Sequence, residues 1–583
     1  MRRSDPVPNS WPDYPEGKYQ LNPIEPLTDR TWPDNQIITP PNWCEVGLRD
    51  GNQALPETMS PEQKLAYFQA LVKMGFKQIE IGFPSASTRD FDFCRQLIED
   101  DHIPDDVYIQ VLVQCREDLI RTTCNAIEGS KNAIIHFYNA TNPTQRRVTF
   151  GNMSREKNRQ QAVDAARLLK RLTADFGTDM QDLVFQYSPE SWSDTEIDHS
   201  VDVCVAVLDA IEASPEEALI LNLPVTVERY LPSEIADQVE RFQRMITQTV
   251  DRDSMIISMH PHNDCGTAVA TVEETLKAGA DRVEGVIFGG GERTGNVDLI
   301  TLAGNMMGRG INPGIDISNL DEAREMFKQT TGMPIHPRHP YSGDLVFTAF
   351  SGSHQDNIKK SFDDMDQNPS DRPWQEKQHY LHVDPADLGR EYEAIAVNDQ
   401  SGKAGTAFVL QQTYGMEMPK ALQSQVYATA IQPEAEKAGE KLSAEKIWDL
   451  FRSEFMKHDC ISLKAHQINS NEQGTNFTGT IVVNGQEKVI FGQGSGPVAA
   501  FVHALKKSTI LEGSFSIGEY EQEIDLRQKD LGSDASAFSF VELQFKGNGS
   551  LWGVGYDDNI DTAAIKAVLA SINRYQRIEA ASE

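Results

Sequence analysis

The chain lacks any Cys-x-x-Cys pair. Its seven cysteines, Cys44, Cys94, Cys115, Cys124, Cys204, Cys265 and Cys460, are scattered and odd in number. That excludes a disulfide framework or zinc finger and is the pattern expected of a reduced, cytoplasmic chain. No run of 18 apolar residues occurs, which excludes a transmembrane helix. Positive charge is scarce: 54 Lys and Arg stand against 87 Asp and Glu, a formal charge of −33. A nucleic-acid binder relying on bulk positive charge and a polybasic membrane anchor are both excluded. The acidity reads as a solvated surface, and an anionic substrate would need local arginine, a metal or helix N-termini. Residues 1–40 are rich in proline, lack a signal-peptide apolar stretch, and are expected to form an extended arm.

What is present, in 583 residues, is length enough for about four domains, or for one large barrel with smaller units. From residue 43 to about 300 a short apolar run, a loop and a helical pattern alternate. The runs are 43–48, 78–82, 108–113, 133–138, 183–187, 219–223, 255–259 and 283–288, mostly rich in Val, Ile, Leu and Phe, as buried parallel strands are. After the first run, Ser60 is an N-cap, Pro61 suits the first helical position, Gln63 completes a capping box, and Gly75 sits where the helix should stop. Further crossover helices are expected at 155–175, 194–213, 232–249 and 267–279. The expected class is α/β: a (β/α)8 TIM barrel over 41–342. A doubly wound sheet would want a glycine fingerprint after its first strand, and Leu48-Arg49-Asp50-Gly51-Asn52-Gln53 is not one.

Residues 343–438 change to a polar, acid-rich character and read as a linking subdomain. From 439 to 583 the chain alternates again in short strands with an internal repeat. Phe491-Gly492-Gln493-Gly494 precedes an apolar helical stretch, as does Trp552-Gly553-Val554-Gly555. Two α+β pseudo-repeats are expected, suited to dimerisation or to binding an effector.

Three segments carry chemistry. His260-Pro261-His262-Asn263-Asp264 ends the seventh strand. An i, i+2 pair on an extended strand puts both imidazoles on one side, at the end where barrels place active sites, and suits a divalent metal. Arg49-Asp50 ends the first strand: Asp50 can complete a two-His, one-carboxylate set, and Arg49 can clamp a carboxylate or a developing oxyanion. Gly289-Gly290-Gly291-Glu292-Arg293-Thr294-Gly295-Asn296 follows strand eight, where backbone can approach a ligand or simply turn. Glu190, Thr226 and Glu228 fall at the same mouth, and His354 reads as a loop histidine outside the barrel. A metal-dependent amidohydrolase would carry its HxH pair on the first strand. A non-haem iron oxygenase would need a double-stranded β-helix pattern that is missing.

Together, Gly47-Leu48-Arg49-Asp50-Gly51-Asn52-Gln53, the His-Pro-His-Asn-Asp segment and Gly291-Glu292-Arg293-Thr294-Gly295-Asn296 resemble the acyl-CoA Claisen-condensing barrels, and most nearly the long-form 2-isopropylmalate synthase family with its Asn-Trp-Cys before the Arg-Asp motif. The resemblance covers nearly the whole chain. It implies condensation of acetyl-CoA with 3-methyl-2-oxobutanoate and water to 2-isopropylmalate and CoA, the committed step toward leucine. It further implies Asp50, His260 and His262 as metal ligands with Asn296 completing or flanking them, and Arg49 at the keto oxygen. Glu190 and Thr226 match substrate-pocket residues. His354 and the accompanying Tyr392 match residues that reach a neighbouring subunit's active site in a domain-swapped homodimer. The implied metal is Mg²⁺, with Mn²⁺ or Zn²⁺ as alternatives and K⁺ as an activator. Leu531-Gly532-Ser533-Asp534-Ala535-Ser536-Ala537 resembles the leucine-binding stretch, with Gly532, Ala535 and Ala537 as its contacts, although Ser495 stands where the family often has Asn. Two other readings stay open: the same chemistry on 2-oxoglutarate or pyruvate (homocitrate or citramalate synthases), and a degenerate barrel that only senses metabolites.

Overall fold

The computed structural model describes residues 18, 24, 26–174, 176, 180–392, 403–438, 442–508, 515–546 and 549–582. Most of the expected arm over 1–40 lies outside these residues. The chain divides into two compact units, Met1–Gly343 and Asp344–Glu583.

The first unit is a closed barrel of eight parallel strands in sequence order. They are β1 (Asn42–Glu45), β2 (Gln78–Gly82), β3 (Tyr108–Gln114), β4 (Asn132–Ala140), β5 (Asp182–Glu190), β6 (Leu219–Val225), β7 (Met255–Pro261) and β8 (Arg282–Gly285). Closure comes from β8 pairing with β1, Val283 opposite Trp43. Helices separate the strands, and their starts follow local chemistry. At Pro61–Lys73, the Ser60 side chain accepts from Gln63 N while the Gln63 side chain accepts from Ser60 N, and Gly75 adopts the left-handed φ of +91° just beyond the helix end. Residues 29–32 of the arm are held down by helix Pro232–Ile246: Glu240 accepts from Thr31 N and Trp32 N, and Asp237 from the Trp32 indole.

Two expected strands are shorter than their apolar runs. The run 43–48 pairs only to Glu45. The chain then enters a π-helical turn, Gly47–Gly51, in which the amides of Arg49, Asp50 and Gly51 all converge on Val46 O. The cause is the buried Glu45 carboxylate, which accepts from Gly47 N (2.8 Å), the Tyr67 hydroxyl (2.9 Å) and Ile287 N (3.3 Å) and folds the strand end back. A Cβ on Gly47 would lie 2.5 Å from the Tyr67 oxygen, so only glycine fits. The run 283–288 likewise ends at Gly285 and turns through Phe288 at φ 59°.

Among its described residues the second unit holds helix Gly352–Gln367, a run of helices from Lys403 to Ala438, helix Ala444–Phe455, and two three-stranded antiparallel sheets. One sheet is β9 (Ile461–Asn471), β10 (Gly474–Val483) and β11 (Gln486–Gly494), backed by helix Pro497–Lys507. The other is β12 (Phe515–Ile524), β13 (Ala537–Phe545) and β14 (Gly549–Asp557), backed by helix Ile560–Ser582. The repeated glycines explain the pairing. Cβ atoms on Gly492 and Gly494 would strike the backbone of Ala500 and Ala504, and on Gly553 and Gly555 that of Ala567 and Ala563. Each helix packs directly on sheet backbone. His354, expected in a loop, lies in the first turn of helix Gly352–Gln367, exposed and stacked on Tyr380.

Candidate active site

At the C-terminal mouth of the barrel, a cavity of about 240 Å³ is lined by Arg49, Asp50, Glu190, Thr226, His260 and His262, among others. Asp50 is its centre. Its Oδ1 accepts from Arg49 Nη1 (2.6 Å) and Gln53 Nε2 (3.0 Å), and its Oδ2 from Asn296 Nδ2 (2.8 Å). The same Oδ2 faces His260 Nε2 at 3.5 Å and His262 Nε2 at 3.8 Å. Ligand atoms of Asp50, His260 and His262 all lie within 4.8 Å of one another, the one such cluster among the described residues.

Electrostatics follow from this packing. Burial opposes the Asp50 charge, but the Arg49 guanidinium and His260 hold its carboxyl far below the usual range. Burial would also neutralise His260, yet the carboxylates of Asp50 and Glu284 push it up to about 9. Burial and the neighbouring His260 drive His262 down to about 4. Burial pushes Glu190 up against the pull of Arg49.

The donor set fits a divalent cation. Two imidazoles and a carboxylate converge, and two further atoms, His262 Nδ1 and Asn296 Oδ1, are buried without a hydrogen-bond partner among the described residues. His260 Nδ1 lies 2.7 Å from Glu284 Oε2, so the other ring nitrogen is the one left facing Asp50.

Sequence reasoning missed the floor under these residues. Glu80 on β2 accepts from Arg49 Nε at 2.5 Å, and Glu284 on β8 accepts from Arg282, Gln110 and Gln186 as well as from His260. The usable signal was a polar residue inside an otherwise apolar run, as in Gln-Ile-Glu-Ile-Gly at 78–82. Glu228 is also more than a mouth residue. Buried, it accepts from the amides of Cys265 and Thr267 and from the Thr267 hydroxyl, while Arg293 binds Asp264 and Thr226 O, tying three mouth loops together. In the glycine-rich loop, a Cβ on Gly295 would sit 1.8 Å from Gly289 O, so the loop's own folding demands that glycine.

The remaining expected site residues belong to the second unit. Tyr392 packs on Phe362, and its buried hydroxyl has no partner among the described residues. Gly532 is exposed at φ 59° within the 3-10 segment Leu526–Asp534, and Ala535 and Ala537 are buried.

An eight-stranded parallel barrel with an Asp-His-His cluster at its mouth defines a barrel enzyme with a site for a divalent cation, and residues 40–327 match the HMGL-like family. Residues 344–411 match the alpha-isopropylmalate synthase post-catalytic domain-like family, and 441–576 the LeuA allosteric (dimerisation) domain. A 2-isopropylmalate synthase of Rhodospirillum rubrum is 46% identical over 564 residues, covering 96% of this chain and 98% of that one. One of Thermobifida fusca is 43% identical over 583 residues, covering 98% and 100%. Among solved structures, a hydroxymethylglutaryl-CoA lyase from Pseudomonas aeruginosa covers 51% of this chain and 95% of its own at TM-score 0.40 and 16% identity. The chain belongs to the 2-isopropylmalate synthase family. No helix among the described residues is long and apolar enough to cross a membrane.

Proposed function

We propose that the protein condenses acetyl-CoA with 3-methyl-2-oxobutanoate and water to give 2-isopropylmalate and CoA, as a cytoplasmic homodimer with swapped domains that leucine inhibits. The observation that carries this is the convergence of Arg49, Asp50, His260 and His262 on one cavity, in a chain alike over nearly its full length to proteins named 2-isopropylmalate synthase.

Asp50, His260 and His262 would hold the cation, Mg²⁺ first, with Mn²⁺ or Zn²⁺ as alternatives, K⁺ as an activator, and Asn296 beside the ligands. When bound, such an ion supplies Lewis acidity and a template for a 2-keto acid. Arg49, locked by Asp50 and Glu80, is preorganised to donate to the keto oxygen as negative charge builds there. Thr226 and Glu190 border the substrate. A base must take a proton from the acetyl methyl so that its carbon can attack the keto carbon. His354 of the neighbouring subunit, accompanied by Tyr392 and with Glu190 acting through water, fills that role. Water then cleaves the resulting thioester and releases CoA. Leucine would bind around Gly532, Ala535 and Ala537.

The test is free-CoA release from acetyl-CoA with 3-methyl-2-oxobutanoate, 2-oxoglutarate or pyruvate, with Mg²⁺ or Mn²⁺ and with or without leucine. Preference for the branched acid, suppressed by leucine, is expected. Preference for another acid moves the substrate. No release from folded, metal-loaded protein overturns the reading.

A further inference from the structure

Glu45 ends β1 with its side chain fully buried, and it does not line the mouth cavity, so it meets no substrate there. Its carboxylate joins three elements. Oε1 accepts from the hydroxyl of the equally buried Tyr67 (2.9 Å), on helix Pro61–Lys73, and from Ile287 N (3.3 Å), in the turn that follows β8. Oε2 accepts from Gly47 N (2.8 Å), at the start of the turn that carries Arg49 and Asp50. The first oxygen anchors the carboxylate and the second pins the turn. Within that turn the amides of Arg49, Asp50 and Gly51 share one acceptor, Val46 O, so it has little hydrogen bonding of its own. There is no slack around the pin: a Cβ on Gly47 would lie 2.5 Å from the Tyr67 oxygen and 2.6 Å from Glu45 Oε1. Burial pushes the Glu45 carboxyl up to about 7 against the pull of its donors. In either protonation state one oxygen remains an acceptor for Gly47, because a protonated carboxyl can turn its hydrogen to the Tyr67 oxygen, which accepts as well as donates.

We propose that Glu45 is a positioning residue for the candidate cation site: by pinning the turn through Gly47, it sets where Asp50 Oδ2 stands against His260 and His262. The proposal rests on Asp50 holding the cation, as in the function proposed above. The two imidazoles are placed by β7, whose pairing with β6 runs to Pro261 opposite Val225. Asp50 has no such support, since β1 pairs only to Glu45 and the turn begins beyond it. The oxygen that faces both imidazoles, at 3.5 and 3.8 Å, therefore depends on how the turn is held. Partners behind metal ligands are worth about 10–100-fold in affinity when they are removed.

The test is Mn²⁺ titration, by calorimetry, of two variants of similar size. Glu45→Met fills the space without a strong acceptor and leaves Gly47 N unpinned. Its affinity should fall about tenfold or more. Glu45→Gln keeps one oxygen. With that oxygen toward Gly47, the amide nitrogen donates to the Tyr67 oxygen, whereas the reverse sets two donors against each other at Gly47, so the first arrangement is taken. This variant should recover most of the affinity. A contribution from bulk alone would leave Glu45→Met at the wild-type affinity, and one from charge would weaken both variants alike; either result overturns the proposal. Gly47→Ala covers the case in which Glu45→Met fails to fold. Its Cβ presses on the carboxylate from the side of the turn and should lower the affinity in the same way, and no change overturns the proposal equally. The wild-type protein and Asp50→Ala are the controls. If the wild type binds Mn²⁺, Asp50→Ala loses it and Glu45→Met binds as the wild type does, only this inference fails. If the wild type binds none, or Asp50→Ala binds equally, the metal assignment fails and takes this inference with it.

Discussion

The deepest positions of the barrel strands carry Glu80, Gln110, His260, Arg282 and Glu284, none more than 5% exposed, whereas the same depth in the C-terminal repeat is filled by Phe477, Phe501, Val541, Trp552 and Val568. The first arrangement is expensive, because each buried charge must be fully partnered. It is partnered here: Arg282 alone reaches Gln78, Ser258, Glu284 and Gln110. The second needs only close approach, which the glycines of β11 and β14 provide. The contrast teaches where to look for function. The barrel holds its polar groups for chemistry at the mouth above them, while the repeat is built for packing and for surfaces that other molecules can use.

The most severe challenge to that division is His354, an exposed side chain in the second unit. On the proposed mechanism, His354→Ala lowers turnover by about 10²–10⁴-fold and leaves metal affinity unchanged. Full activity would confine the chemistry to the barrel. A smaller effect is expected from Gly555→Val, which sets a side chain 2.0 Å from Ala563 O. Overpacking there should destabilise the second unit by about 3 kcal/mol, read as a lower unfolding midpoint, with metal binding by the barrel untouched. Loss of metal binding would show the two regions to be coupled.

The smallest effect concerns Asp525. Burial raises its carboxyl, but Arg527 and the Tyr556 hydroxyl outweigh that and hold it below its ordinary value. A depressed folded value means that its stabilisation is present above the unfolded pKa of about 4 and is lost as pH falls through the folded value. Asp525→Asn should cost about 1 kcal/mol near neutral pH and remove that acid-dependent loss, seen in thermal unfolding between pH 3 and 7. An unaltered pH profile would remove Asp525 from the account.

Much of this was legible in the chain. Eight apolar runs marked the strands, Ser60 and Gln63 marked a helix start, and the His-Pro-His and Arg-Asp segments marked the mouth. Strand ends were less legible: the run 43–48 looks extended, but Glu45 captures the amide of Gly47 and turns the chain, a contact no local pattern announces. His354 sits among polar residues that resemble a loop, yet they form a helix. Glu80, Gln110, His136 and Glu284 stayed hidden because they are distant in sequence and meet only when the barrel closes.

The central claim, that Asp50, His260 and His262 hold a catalytic cation, is tested most directly by titrating Mn²⁺ into the purified wild-type protein and Asp50→Ala by calorimetry. One site per chain in the wild type, and affinity lowered at least about tenfold in the variant, is the predicted result. Equal binding by the two proteins would contradict it.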